Sequence, residues 1–318
     1  AHFQKHEILA SIKEGAQELA HKPSIKSGSA HAHPAQRDAR RMRGQGYHAK
    51  KRLGQHFLVD PEIIHKIVDL AGFQAPDRVL EIGPGQGALT LPLARTVGHV
   101  VAVEKDAHLV HALQARLNRA GITNVTLINH DILSWDFRDI GSPSSTRILV
   151  IGNLPYNISS PVLEKLIKNR DLIRRAVLMF QLEVAKRLTA SPGGKAYGAM
   201  TLWVKYHAHP RPLLEVSKDA FNPKPKVDSM VIELDFERPH PGRLLNNERY
   251  FKKIVKDAFS HRRKTMVNSL KGTSPSWDRE TLLEVMKKCG IDPGRRAETL
   301  DIDEFLCLTS ALTDSDWR

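Results

Sequence analysis

Apolar runs that each end on a polar or glycine-rich turn set the pattern of the middle of this chain. They are Val79-Leu80, Val100-Val101-Ala102-Val103, Val125-Thr126-Leu127-Ile128 and Ile148-Leu149-Val150-Ile151. Runs this short, rich in β-branched residues and bounded by turn residues, predict buried strands. Helix-spaced apolar positions follow the first of them, at Leu89, Leu91, Leu93, Ala94 and Val97. Strands are predicted around Val79, Val101, Leu127, Leu149, Val177, the 210–216 region and Val231. The last two flank a proline-rich segment at 221–225, which predicts a closing hairpin instead of another crossover. Strand–helix alternation from about Arg78 to Phe236 therefore predicts an α/β fold: a mostly parallel, seven-stranded sheet with helices on both faces. Beyond Pro239-His240-Pro241-Gly242 the pattern becomes helical, with helices predicted at 250–259, 265–270, 281–289 and 303–312. Three parts follow: an extension over 1–49, an α/β domain over 50–238 and a small all-helical domain over 243–318.

The strand ends carry the candidate chemistry. Arg78-Val79-Leu80-Glu81-Ile82 runs into Gly83-Pro84-Gly85-Gln86-Gly87. The spacing is G-x-G-x-G, not the dinucleotide fingerprint G-x-G-x-x-G, and a glycine-rich turn alone can be a plain strand–helix connection. Glu81 tilts the reading, because a carboxylate repels a pyrophosphate and suits a cationic amino-acid end such as that of S-adenosylmethionine. Glu104, next to Lys105, closes the second strand seventeen residues after Gly87, near where a parallel α/β fold places an acceptor for ribose hydroxyls. Asp131, beside Ile132, closes the third and can accept from an adenine amine. The fourth ends in Asn153-Leu154-Pro155-Tyr156: an amide acceptor, a backbone carbonyl whose direction proline constrains, and an aromatic face. Such a set can hold a flat amino-bearing ring by its exocyclic NH2 while the nitrogen is methylated. Phe221 is the candidate for the ring's second face, with core packing as the plain alternative.

From Lys50 to about Asp303 the chain resembles the KsgA-type ribosomal RNA adenine dimethyltransferases. The matching segments are Arg52-Leu53-Gly54-Gln55-His56-Phe57-Leu58, Glu81 to Thr90, Glu104, Asp131, Gly152 to Asn157, Gln181 to Leu188, Phe221 to Ser229, Arg262 to Thr265 and Arg295 to Glu298. His56 departs from the pattern, where the family more often has Asn. The resemblance implies a Rossmann-like class I methyltransferase domain with S-adenosylmethionine held by Gln55, His56, Phe57 and Leu58 as well as by Glu81, Gly83, Gly85, Gly87, Glu104, Lys105, Asp131, Ile132 and Asn153. It implies N6,N6-dimethylation of two adjacent adenosines near the 3′ end of small-subunit ribosomal RNA, in four methyl transfers, with a role in subunit assembly.

Charge changes the picture next. The 318 residues hold 48 Lys+Arg against 35 Asp+Glu, a formal net charge of +13, which suits phosphate neutralisation. Lys50, Lys51, Arg52, Lys224, Lys226, Arg262, Arg263 and Lys264 are the candidate RNA contacts, several of them flanking the site motifs in sequence. Residues 1–52 alone carry eleven Lys/Arg and four Asp/Glu, with six scattered His that form no closed metal-ligand pattern. This extension reads as an RNA-binding arm or a targeting leader, with one short amphipathic helix on Ile8, Ile12, Ala16 and Leu19. Cys289 and Cys307 are too few for a disulfide scaffold or a zinc site, so a reducing compartment, the cytoplasm, is expected. No apolar stretch reaches membrane-spanning length, no metal is expected, and nothing demands more than a monomer. The expected partners are small-subunit ribosomal RNA and a pre-30S-type particle. Two other readings stay open: a large-subunit adenine methyltransferase conferring macrolide resistance, and an assembly factor for which catalysis is secondary. A DNA amino-methyltransferase is a weaker third, since no target-recognition domain is evident.

Overall fold

The computed structural model describes residues 54–140, 147–240, 248–261, 263–274 and 277–315. The extension at 1–49, with its candidate helix and histidines, lies outside them, as do Lys50, Lys51, Arg52 and Arg262. The described residues fall in one compact unit.

In chain order the elements are β1 (Phe57–Leu58), α1 (Pro61–Ala71), β2 (Arg78–Ile82), α2 (Thr90–Leu93), β3 (His99–Glu104), α3 (Ala107–Arg119), β4 (Val125–Asn129) and β5 (Ile148–Asn153). They continue with α4 (Ser159–Lys168), β6 (Ile173–Gln181), α5 (Leu182–Leu188), α6 (Ala199–His207), β7 (His209–Val216), β8 (Phe221–Asn222) and β9 (Ser229–Asp235). The chain closes with α7 (Glu248–Ala258), α8 (Met266–Leu270), α9 (Arg279–Lys288) and α10 (Ile302–Ser315).

Seven strands form one sheet in the order β4-β3-β2-β5-β6-β9-β7. β9 pairs antiparallel with both β6 and β7, and the other neighbours are parallel. The expected closing hairpin is there, with β9 inserted between β6 and β7. Side chains alternate between two cores. Leu80, Ile82, Val101, Val103 and Val150 pack with α4, while Val79, Val100, Ala102, Leu149 and Ile151 pack with α1 and α2. Burial on both faces is why these strands read as continuous apolar runs. A third core joins α7 to α10 with Tyr197, Leu202 and Tyr206, and Tyr206 stacks on Phe251 at 4.7 Å.

Two expectations need correction. The helix pattern over 89–97 yields only the single turn α2, since Asn124 Nδ2 captures the carbonyls of Ala94 (2.8 Å), Val97 (3.1 Å) and Gly98 (3.4 Å) and closes the segment. Cys289 and Cys307 are not separate thiols but a disulfide, with Cα atoms 5.8 Å apart. Packing of α10 against the end of α9 brings them together, which an eighteen-residue spacing does not reveal. The cysteines therefore give no argument for a reducing compartment. α1, which the hydrophobic pattern did not single out, starts on Asp60 accepting from the amides of Glu62 and Ile63, with Pro61 in its first turn, and ends on Gly72 in the left-handed region.

The chain runs from β2 outward to β4, then returns to β5 and builds the other half, so β2 and β5 flank the topological switch point. Ligands bind at the carboxyl ends of strands at such a point. Here Gly152 is pressed against β2: a Cβ on it would lie 2.8 Å from the Ile82 carbonyl oxygen. Gly152→Ala is expected to destabilise the protein by about 1–3 kcal/mol through this overpacking, read as a lower urea midpoint at unchanged m-value. An unchanged midpoint would mean the two strand ends can part without cost.

Candidate functional site

One cavity opens at these strand ends. Gly54 to Leu58 form one wall and Glu81 to Gln86 with Ala88 and Leu89 the floor. Val103 to Lys105 and His130 to Leu133 close one side, and Asn153 to Ile158 the other. Every expected cofactor residue except Gly87 lines it: Gln55, His56, Phe57, Leu58, Glu81, Gly83, Gly85, Glu104, Lys105, Asp131, Ile132 and Asn153. Gly87 has a role in the fold. Its φ is +82°, and a Cβ there would overlap Leu113 Cδ1 of α3, so it lets the turn cross that helix.

The buried acids of the protein separate by partner. Glu233, on β9, is paired with Arg175 at 2.8 Å and Arg211 at 3.0 Å. Asp106 caps α3 through the His108 amide. Glu104 accepts from the Gly85 amide at 3.2 Å and the Asp106 amide at 2.9 Å, so it ties the glycine turn to β3 while keeping lone pairs for a further donor. Glu81 differs: it is 2% exposed, lines the cavity, and its Oε2 has no hydrogen-bond partner. Burial pushes its carboxyl up from the ordinary 4.5 to about 7, opposed by the nearby Thr90 hydroxyl and reinforced by the Glu104 charge, although Thr90 Oγ1 is not placed for a geometrically good hydrogen bond to it. Burial likewise raises Glu104. An unpartnered buried carboxylate facing a cavity suits a cationic ligand group.

At the far side, Asp131 accepts from Lys105 Nζ at 2.7 Å and from the Leu133 amide at 3.0 Å, and the Lys105 bond holds its carboxyl below the ordinary range. Ile132, which is buried, and Leu133 supply apolar wall beside it. Lys165 Nζ of α4 bonds the carbonyls of Leu133 (3.0 Å) and Trp135 (2.5 Å) and so anchors this loop. Arg116 bonds the Gln86 carbonyl at 2.8 Å and steadies the glycine turn. Neither anchor carries a signal in sequence, because each is a lone cation on an ordinary helix.

At the end of β5, Asn153 Nδ2 donates to the His56 carbonyl at 3.0 Å, which leaves Oδ1 as the acceptor of this side chain. Pro155 sits at φ −55° and fixes the exit from the strand. Tyr156 is half-buried, its hydroxyl 2.8 Å from Ser229 Oγ, and its ring stacks on His56 with centroids 5.6 Å apart. The expected partner ring is elsewhere. Phe221 is 4% exposed, pairs through β8 with Leu58 of β1, and packs in the core with Val216 and Val231. It does not line the cavity, and its packing matches the plain alternative of a core residue. Of the expected RNA contacts, Lys224, Lys226, Arg263 and Lys264 are exposed, with Lys224 paired to Asp219. Among the described residues there is no group of three His, Cys, Asp or Glu side chains able to hold a metal, and no helix long and apolar enough to cross a membrane.

A doubly wound sheet with one reversed strand, a glycine turn tied to an acid on the next strand and an unpaired carboxylate at the switch point define a class I methyltransferase that takes S-adenosylmethionine. Residues 46–314 match the family described as ribosomal RNA adenine dimethylase, and the chain belongs to that family. A Ribosomal RNA small subunit methyltransferase A from Desulforapulum autotrophicum is 46% identical over 273 residues, covering 85% of this chain and 94% of its own. The protein of that name from Geobacter metallireducens is 44% identical, covering 85% and 98%. Among solved structures, a dimethyladenosine transferase from Plasmodium falciparum superposes with a TM-score of 0.71 at 28% identity, covering 82% and 98%. The 23S rRNA methyltransferase ErmE superposes with a TM-score of 0.63 at 26% identity, covering 81% and 99%.

The Glu81 carboxyl yields a pH prediction. A ligand ammonium stabilises the ionised form, so binding expels a proton below pH 7 and affinity rises with pH through that value. S-adenosylmethionine should bind about tenfold more weakly at pH 6 than at pH 8, as a single site titrating near 7 requires, and Glu81→Gln should abolish that slope. Calorimetry in buffers of different ionisation enthalpy reads the proton directly. A flat profile in the wild type would take Glu81 out of the cofactor's reach.

Proposed function

We propose that this enzyme dimethylates N6 of two adjacent adenosines near the 3′ end of small-subunit ribosomal RNA, acting on a pre-30S-type particle. The observation that carries the reading is Asn153: its Nδ2 is spent on the His56 carbonyl, so its acceptor oxygen remains at the cavity beside Leu154 and Tyr156. An adenine amine is a poor nucleophile because its lone pair is delocalised into the ring. Asn153 Oδ1 and the Leu154 carbonyl, each accepting one amine hydrogen, favour a more tetrahedral nitrogen and aim its lone pair. Tyr156, held at its hydroxyl by Ser229, offers the ring a fixed stacking face. S-adenosylmethionine supplies an electrophilic sulfonium methyl when bound, with Glu81, Glu104 and Asp131 as its acceptors. In the second transfer only one amine hydrogen remains, so a single acceptor suffices and the stacked ring does more of the positioning. A strong general base is not required. A base inside folded RNA must be unstacked to reach this site.

The exposed Lys226, Arg263 and Lys264 support phosphate contact, and we assign helices α7 to α10 to gripping RNA. The substrate, not the cysteines, points to the cytoplasm, and a monomer suffices for the chemistry. Relatives of 44–46% identity carry the small-subunit name, against 26% for the 23S enzyme, and this favours the small-subunit substrate over the resistance activity. An assembly role is compatible with catalysis and separable from it. Labelled S-adenosylmethionine is offered to unmethylated small and large subunits in parallel, with nucleoside analysis of the product. Dimethyladenosine in small-subunit RNA alone is expected, and label confined to the large subunit would overturn the proposal. Asn153→Ala should lower turnover about 10²–10³-fold while particle binding stays within a few-fold, by filter binding. Retained turnover would remove Asn153 from the chemistry.

A further inference from the structure

One face of Tyr156 already carries a ring. His56 lies on it at 5.6 Å between centroids and 27° between planes, and both residues line the cavity. Two bonds hold His56 there. Its Nδ1 meets the Pro223 carbonyl at 2.7 Å, which requires the proton on Nδ1, and its own carbonyl accepts from Asn153 Nδ2. The pairing of Leu58 with Phe221 and of Phe57 with Asn222 fastens the same segment from the other side.

A base cannot enter between the rings as they stand. Each stacking interval takes about 3.5 Å, so a sandwich needs about 7 Å between ring planes, more than the 5.6 Å between these centroids. Tyr156 cannot yield either, since its hydroxyl is tied at 2.8 Å to Ser229, itself fully buried. The ring that must move is His56. We propose that the His56 imidazole is a stand-in for the target adenine: it occupies the stacking face of Tyr156 in the free enzyme, and the flipped base displaces it. This inference rests on the adenine-binding role given above to Asn153 and Tyr156. The free enzyme then keeps its aromatic face covered until a base competes for it, and apparent affinity is reduced by the fraction of enzyme in the covered state.

The test is steady-state kinetics on unmethylated small subunits at saturating S-adenosylmethionine with His56→Ala and His56→Phe. Loss of one ring contact should lower KM for the particle about 2–10-fold in His56→Ala, with kcat changed less. His56→Phe keeps a ring but not the bond to Pro223 that holds it, so its KM should fall less than that of His56→Ala. An unchanged or raised KM in His56→Ala, or a fall in His56→Phe as large as in His56→Ala, would overturn the stand-in. A second measurement needs no RNA: binding of 2-aminopurine riboside in the presence of S-adenosylhomocysteine, read by fluorescence quenching. His56→Ala should bind it more tightly than the wild type by a similar factor. Equal binding overturns the stand-in, whereas tighter binding without methyl transfer to small subunits would overturn the choice of substrate alone.

Discussion

β5 can lie close against β2 at its carboxyl end only because position 152 has no side chain, and the site is built on that approach. Register pairs Glu81 with Ile151, so Gly152 lies level with Ile82, the last residue of β2, and Asn153 runs past it just where the chain turns into Gly83-Pro84-Gly85. A Cβ at 152 would press on the Ile82 carbonyl oxygen at 2.8 Å and push the strand ends apart. Glu81 and Asn153, the groups proposed to face the methyl donor and the methyl acceptor, come from these two neighbouring strands. Their separation is therefore set by backbone packing, which is stiff, and not by flexible loops. Asn153 passes this placement on to His56, and His56 to Pro223, so the cover over the cavity is aligned from the same strand.

The electrostatics at this point run against stability. A carboxyl whose folded value is about 7 instead of 4.5 binds its proton more tightly when folded. Stability is then lost as pH rises between those values, reaching about 3 kcal/mol above pH 7 for a shift of this size. Glu233, equally buried, avoids such a loss through Arg175 and Arg211. Among the described residues no cation does the same for Glu81 Oε2. Unrelieved burial of one acid beside another, at the switch point of the sheet, is better explained by binding than by folding.

Much of this could be read from sequence because buried parallel strands carry a simple signal. All seven sheet strands lie where the apolar runs placed them, and the acids and Asn153 at their ends converge on one cavity because such strands share a carboxyl edge. A positive φ at Gly87 can serve a ligand or a helix crossing, and the sequence carries no sign of the contact with Leu113 that speaks for the second. Phe221 carried two readings in sequence, a stacking face and a core residue, and β8 turns it inward. The disulfide, the Lys165 anchor and the His56–Tyr156 stack join residues far apart in the chain through tertiary packing alone. The start of α1, by contrast, was legible in Asp60-Pro61 and Gly72 and went unread because it precedes the alternating region.

The fold fixes the reaction more firmly than the substrate. A 23S rRNA methyltransferase superposes on this chain along 81% of its length, so the fold is compatible with methylation of different RNAs. What tells one RNA from another must act before the base reaches Tyr156, on the surface that meets the folded particle. Exposed cations at Lys226, Arg263 and Lys264 lie outside the cavity, and the phosphate contacts proposed for them would not read bases. Discrimination then falls to shape: the right adenosine is one whose flanking helices let it be unstacked while the phosphates are held. On this view a covered Tyr156 adds a threshold, since a base that is not presented well fails to displace the ring already there.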